Sequence, residues 1–101
     1  MKLLDKGKVK NYLRIDGEYD DEMLENTLIP AAEAYLYGAV DRLDEKLSDP
    51  KLKKQAELVG MVLVGEFYDN RELIDNRKRQ PSYTVQSMIA QLQLAKPVIT
   101  P

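Results

Sequence analysis

Apolar positions along this chain recur at intervals of three and four, the spacing that gathers side chains on one face of a helix. Val9, Tyr12 and Leu13 are the first such set and predict a short helix from about Asp5 to Leu13. Gly7 lies inside it and costs about 1 kcal/mol relative to alanine. Ile15-Asp16-Gly17-Glu18 then reads as a turn, because Asp and Gly accept the backbone angles that turns require. Leu24, Leu28, Ala31, Tyr35 and Leu36 form a second stripe, with Val40, Leu43 and Leu47 in register to extend it. Asp20 or Asp21 is placed to cap its start, and Glu22 and Glu25 to favour the positive end of its dipole. Gly38 is a candidate end or bend. Pro30 falls inside the stripe, where it deletes a hydrogen bond and crowds the carbonyl of Asn26, so a kink is expected there.

Ser48-Asp49-Pro50 marks the next helix start, a capping residue followed by proline at the first helical position. Leu52, Ala56, Val59, Leu63 and Phe67 continue from it at regular spacing, and between Leu58 and Tyr68 apolar residues occupy most of the circumference. A helix apolar on most sides is central, so Val59, Leu63 and Phe67 are the expected core. Ala56 and Gly60 would let a neighbouring helix approach closely. This helix is expected to run to about Glu72 or Leu73. Asp75 to Ser82 reads as a loop. Thr84 is a candidate cap for a last helix with Val85, Met88, Ile89 and Leu92 on one face, and the prolines of Lys96–Pro101 favour an extended arm. The fold class is therefore all-α: one domain over residues 1–101, a small bundle of about four helices with an extended C-terminal arm.

Composition narrows the chemistry. The chain has no cysteine and no histidine, which removes disulfides, thiolate nucleophiles, ordinary zinc sites and the commonest general acid–base residue. An enzyme would have to work with carboxylates, lysine or tyrosine alone, so no catalytic residue, metal site or cofactor is expected. No apolar run reaches the ~18 residues of a membrane span, and Met1-Lys2-Leu3-Leu4-Asp5 has no secretory h-region. The net charge of −2 is unevenly spread: residues 1–15 carry +4, residues 16–49 carry −9, and residues 50–101 carry +3. A solvated helical surface is the favoured reading of such a distribution, and opposite-sign faces meeting on neighbouring subunits is the sharper one.

Three constellations invite a sharper reading. Asp16, Glu18 and Asp20 match the first, third and fifth ligands of a calcium loop, but Asp21 stands where glycine is needed and Thr27 where a bidentate glutamate is needed. Helix-start acidity explains them better. Glu66, Asp69 and Glu72 fall three apart on the expected outer side of the third helix and read as surface or interface charges. The basic run Arg77-Lys78-Arg79 could contact phosphate, but three bases without an aromatic platform beyond Tyr83 fit a solvated loop or a salt bridge to a neighbour better. A helix-turn-helix is disfavoured because Leu58 to Phe67 is too apolar to lie in a DNA groove.

Val9-Lys10-Asn11-Tyr12-Leu13-Arg14-Ile15-Asp16 with the following Asp20-Asp21, then Leu28-Ile29-Pro30-Ala31-Ala32-Glu33-Ala34-Tyr35-Leu36, then Gln55-Ala56 leading to Phe67-Tyr68-Asp69-Asn70-Arg71-Glu72, form an ordered set over residues 9–72. This order resembles the head–tail connector family of long-tailed bacteriophages, also labelled possible DNA-packaging proteins; Val40 to Asp49 matches it less well. The resemblance implies a non-catalytic adaptor, assembled in the bacterial host cytoplasm and located in the virion neck. It would form a homo-oligomeric ring under the portal protein, extend the channel through which DNA passes unread, and dock a neck or tail-completion protein. For the ring contact, the acidic face around Glu22, Glu25 and Glu33 is expected to meet a neighbour's basic patch, either Arg77-Lys78-Arg79 or the first-helix lysines. The alternative is a small DNA-binding or DNA-packaging protein, such as a regulator or a terminase small subunit.

Overall fold

The computed structural model describes residues 3–69 and 82–95, which are all-helical with no strand among them. Helix α1 spans Lys6–Leu13; Asp5 caps it by accepting from the Lys8 amide at 3.0 Å. It ends with Arg14 in the left-handed region (φ 58°) and the Ile15 amide bonded back to the Lys10 carbonyl at 2.9 Å, a Schellman-type stop. The turn that follows has Gly17 at φ 80°, where a side chain would be strained.

A short helix α2 (Asp21–Met23) passes through a π-turn (Leu24–Leu28) into α3 (Ile29–Ala39). The disturbance expected at Pro30 takes the form of this wider turn, in which the Ile29 amide reaches the Leu24 carbonyl five residues back. Asp20 stands at the N-cap, but its side chain makes no capping bond. The expected extension of this helix through Val40, Leu43 and Leu47 does not form. Val40 is extended, Arg42 is left-handed (φ 57°), and a separate single turn, α4 (Leu43–Lys46), follows. Val40 and Leu43 are nevertheless buried, so their spacing reports a shared core and not one helix.

Helix α5 starts at Pro50 and is described to Asp69; its expected end at Glu72 or Leu73 lies outside the described residues. Asp49 caps it by accepting from the Lys51 amide at 2.9 Å. Val59 and Leu63 are fully buried and Phe67 keeps 4% of its surface, so α5 is the central element against which α1, α3 and the last helix pack. A Cβ on Gly60 would stand 2.8 Å from Leu4 Cδ2 and 3.3 Å from Leu36 Cδ1, so the glycine lets the N-terminal strap and α3 close over α5.

The last helix, α6, spans Tyr83–Leu94. Its cap is Ser82, whose hydroxyl accepts from the Val85 amide at 3.3 Å, and not Thr84, which lies inside the first turn. Val85, Ile89 and Leu92 are buried and Met88 is half-buried, as the stripe predicts. The loop expected at 75–82 lies outside the described residues except for Ser82, as does the expected arm from Lys96 to Pro101. One hydrophobic cluster joins residues from all the longer helices and the strap Leu3–Leu4.

Candidate assembly surfaces

The oppositely charged N-terminal segments meet first within the subunit. Lys10 Nζ stands 2.6 Å from Asp21 Oδ1 and donates to the Gly17 carbonyl at 2.5 Å, which ties the turn to the start of α2. Lys6 lies 3.6 Å from Asp21 and 3.7 Å from Glu25. The hydrogen bond from Lys10 holds the Asp21 carboxyl below the usual carboxylate range, with a smaller contribution from Lys6. Lys8 stands 3.9 Å from Glu57. The first-helix lysines, offered by sequence as a neighbour's docking patch, are thus largely engaged in their own chain.

The three acids expected on one face separate in the same way. Glu22 is exposed, and Glu25 is exposed beside Lys6. Glu33 is half-buried, and its Oε2 accepts from the Leu3 amide at 2.6 Å and the Leu4 amide at 2.8 Å. It fastens the N-terminal strap across α3, so it is a structural clamp and does not face outward beside Glu22. Arg77, Lys78 and Arg79 lie outside the described residues. Glu66, read as a surface charge, accepts from the Ser82 amide at 2.8 Å and from the Ser82 hydroxyl, and so anchors α6 to α5; Asp69 is exposed as expected, and Glu72 lies outside the described residues. Among the described residues no three acids converge as a metal site would require.

The turn after α1 and the C-terminal part of α5 meet in the fold. Tyr68 donates its hydroxyl proton to Asp20 Oδ2 at 2.6 Å, which joins the turn after α1 to the far end of α5. A Cβ on Gly65 would stand 3.1 Å from Leu13 Cδ2, so α1 rests directly on α5 beside that bond.

Lys46 is a residue sequence reasoning missed. It is 7% exposed, and its ammonium donates to the carbonyls of Leu92 at 3.1 Å, Gln93 at 2.6 Å and Ala95 at 2.6 Å. These are carbonyls of the last turn of α6 and the residue beyond it, so a cation completes the negative end of that helix. The available signal was its place three residues after Leu43, on the side of the chain that faces the core. Nearby, burial pushes the Tyr37 phenol up, aided by the Asp44 carboxylate.

Several large apolar and aromatic side chains also stand at the surface. Tyr19 is 98% exposed, Tyr83 84%, Leu94 81% and Leu58 44%. No helix among the described residues is long and apolar enough to cross a membrane. Comparisons with family models, with curated proteins and with solved structures find no match to this chain.

Proposed function

We propose that this chain is a structural adaptor that assembles head-to-tail into a ring beneath a phage portal, extends the DNA channel, and docks a neck or tail-completion protein. The observation that carries this reading is the ordered set of three segments across residues 9–72, whose members Leu13, Asp20 and Tyr68 belong to one contact region of an all-helical fold. The exposed tyrosines support it, because aromatic side chains are favoured anchors of protein contacts. Electron microscopy and native mass spectrometry of the chain, alone and after addition to portal complexes from its parent phage, test the reading. Closed rings on the portal are the expected result. A chain that stays monomeric in the presence of portal overturns it.

A second reading, a small DNA-binding or packaging protein, draws on one observation. Lys51, Lys53 and Lys54 are exposed, and among the described residues none has an acid within ion-pair distance. Lysines placed in this way can contact phosphate, and such binding would fall steeply with salt.

A further inference from the structure

Two surface regions combine charges unpaired among the described residues with an exposed large side chain, Leu58 in one and Tyr19 in the other. The first is the outer face of α5. Lys51, Lys54 and Leu58 are exposed along it, followed by half-buried Met61 and Val62, at the 3–4 spacing of one helical face. The first turn of α5 contains no acid, although the helix dipole favours acids there. The lysines therefore serve no evident need of their own helix.

The second region is the turn between α1 and α2. Asp16, Glu18 and Glu22 are exposed, and among the described residues none has a base within ion-pair distance. Tyr19 stands among them at 98% exposure. A tyrosine presents a large apolar body with a polar tip at little cost in side-chain entropy, which suits a contact between proteins.

The fold holds these regions at opposite ends of α5. The Tyr68–Asp20 hydrogen bond pins the acidic turn near the C-terminal end of the helix, while Lys51 and Lys54 lie in its first turns. At a rise of about 1.5 Å per residue, Lys54 and Tyr68 are about 20 Å apart along the axis. That exceeds the screening length of roughly 8–10 Å, so the two regions do not neutralise each other within one subunit. Two different, complementary patches on one chain make a heterologous contact, which closes into a ring or continues as a filament.

We propose that these regions are the two halves of one contact between copies of this chain. Tyr19 of one copy packs on Leu58 and Val62 of the next, and Glu18 and Glu22 face Lys51 and Lys54. The inference rests on the ring reading above and supplies its surfaces. A nucleic-acid backbone would engage the lysines and leave the adjoining Leu58 uncovered; the acidic turn with Tyr19 matches both features.

The absence of cysteine from the chain allows a direct test. Tyr19→Cys and Leu58→Cys variants are mixed, oxidised, and the cross-linked products counted by mass spectrometry. In an equimolar mixture, chance pairing gives as much 19–58 product as the two like products together, and that ratio should rise about tenfold, the effect of a modest preference of roughly 1.4 kcal/mol. Adding Lys51→Glu and Lys54→Glu to the Leu58→Cys partner should abolish that excess. Adding Glu18→Lys and Glu22→Lys to the other partner should then restore it. Statistical proportions, or a dominant 58–58 product, would overturn the proposal. Statistical cross-linking together with duplex-DNA binding that is lost in Lys51→Glu/Lys54→Glu would overturn it in favour of phosphate. Sedimentation velocity of the unmodified chain separates the two levels. Oligomers with statistical cross-linking remove this contact but leave the ring reading, whereas a dominant 19–58 product that builds only open filaments, even on a portal, supports the contact and removes the ring.

Discussion

Replacing Lys46 by methionine keeps a long apolar stem and removes only the ammonium. In the native structure that ammonium donates to three carbonyls, at 3.1, 2.6 and 2.6 Å, from a side chain that is 7% exposed. A hydrogen bond to a charged group contributes about 1.5–3 kcal/mol net, so three would sum to about 4.5–9 kcal/mol, comparable to the whole stability of a domain of this size. Two effects reduce the sum. Removing the cation recovers its desolvation cost, and the carbonyls at a helix end regain water more readily than those of a closed core. A loss of about 2–4 kcal/mol is expected, which for about 100 residues lowers Tm by roughly 10–25 °C. Circular dichroism during heating and urea titration measures it, provided the probes agree on a two-state transition. Amide exchange should also quicken at Gln93, Leu94 and Ala95 before it does in α5. A Lys46→Met variant with unchanged Tm would show that the three carbonyls are satisfied without the cation and would refute the reasoning.

Phe67→Ala, at a position only 4% exposed, should cost about 3–5 kcal/mol and leave the domain largely unfolded at 37 °C, as read by urea denaturation; a small change would mean that the core collapses around the gap. The Asp21 carboxyl is held below its usual range, so the stability it contributes is complete above the unfolded-state value of about 3.9 and is lost as pH falls through the folded value. The stability difference between the native chain and Asp21→Asn should therefore be constant from neutral pH to about pH 5 and shrink below about pH 4; a difference that grows on acidification would contradict the assignment. With a net charge of −2, the chain should bind duplex DNA weakly and without sequence preference in a gel shift near physiological salt, and sub-micromolar affinity for one defined site would favour the DNA-binding reading.

Much of the fold was legible because burial and local capping leave short-range marks. The 3–4 stripe of α5 and the Asp49-Pro50 start led directly to its first residue and its buried face. The same stripe misled at Val40, Leu43 and Leu47. All three face the common core, but the chain reaches it by an extended residue and a left-handed Arg42, which periodicity does not register. Pro30 announced a disturbance, and the chain accommodated it with a π-turn. Ser82 caps α6 in place of Thr84 because the Glu66 carboxylate fixes Ser82 from another helix. The surfaces were less legible for the same reason. Glu33 meets Leu3 and Leu4 across some thirty residues of sequence, and Lys46 meets the end of α6 across more than forty. No local spacing signals such partners, so acids and bases counted as free by position proved to be engaged. The charges left over, on the turn after α1 and the start of α5, became visible only after those pairings were assigned.

The proposed adaptor would join a capsid portal to the next component of a phage neck. The most direct test is electron microscopy of particles produced by the parent phage after deletion of the gene for this chain. The adaptor reading predicts filled heads and complete tails that remain separate, with joining restored when the purified chain is added. Joined, infectious virions in its absence would contradict it.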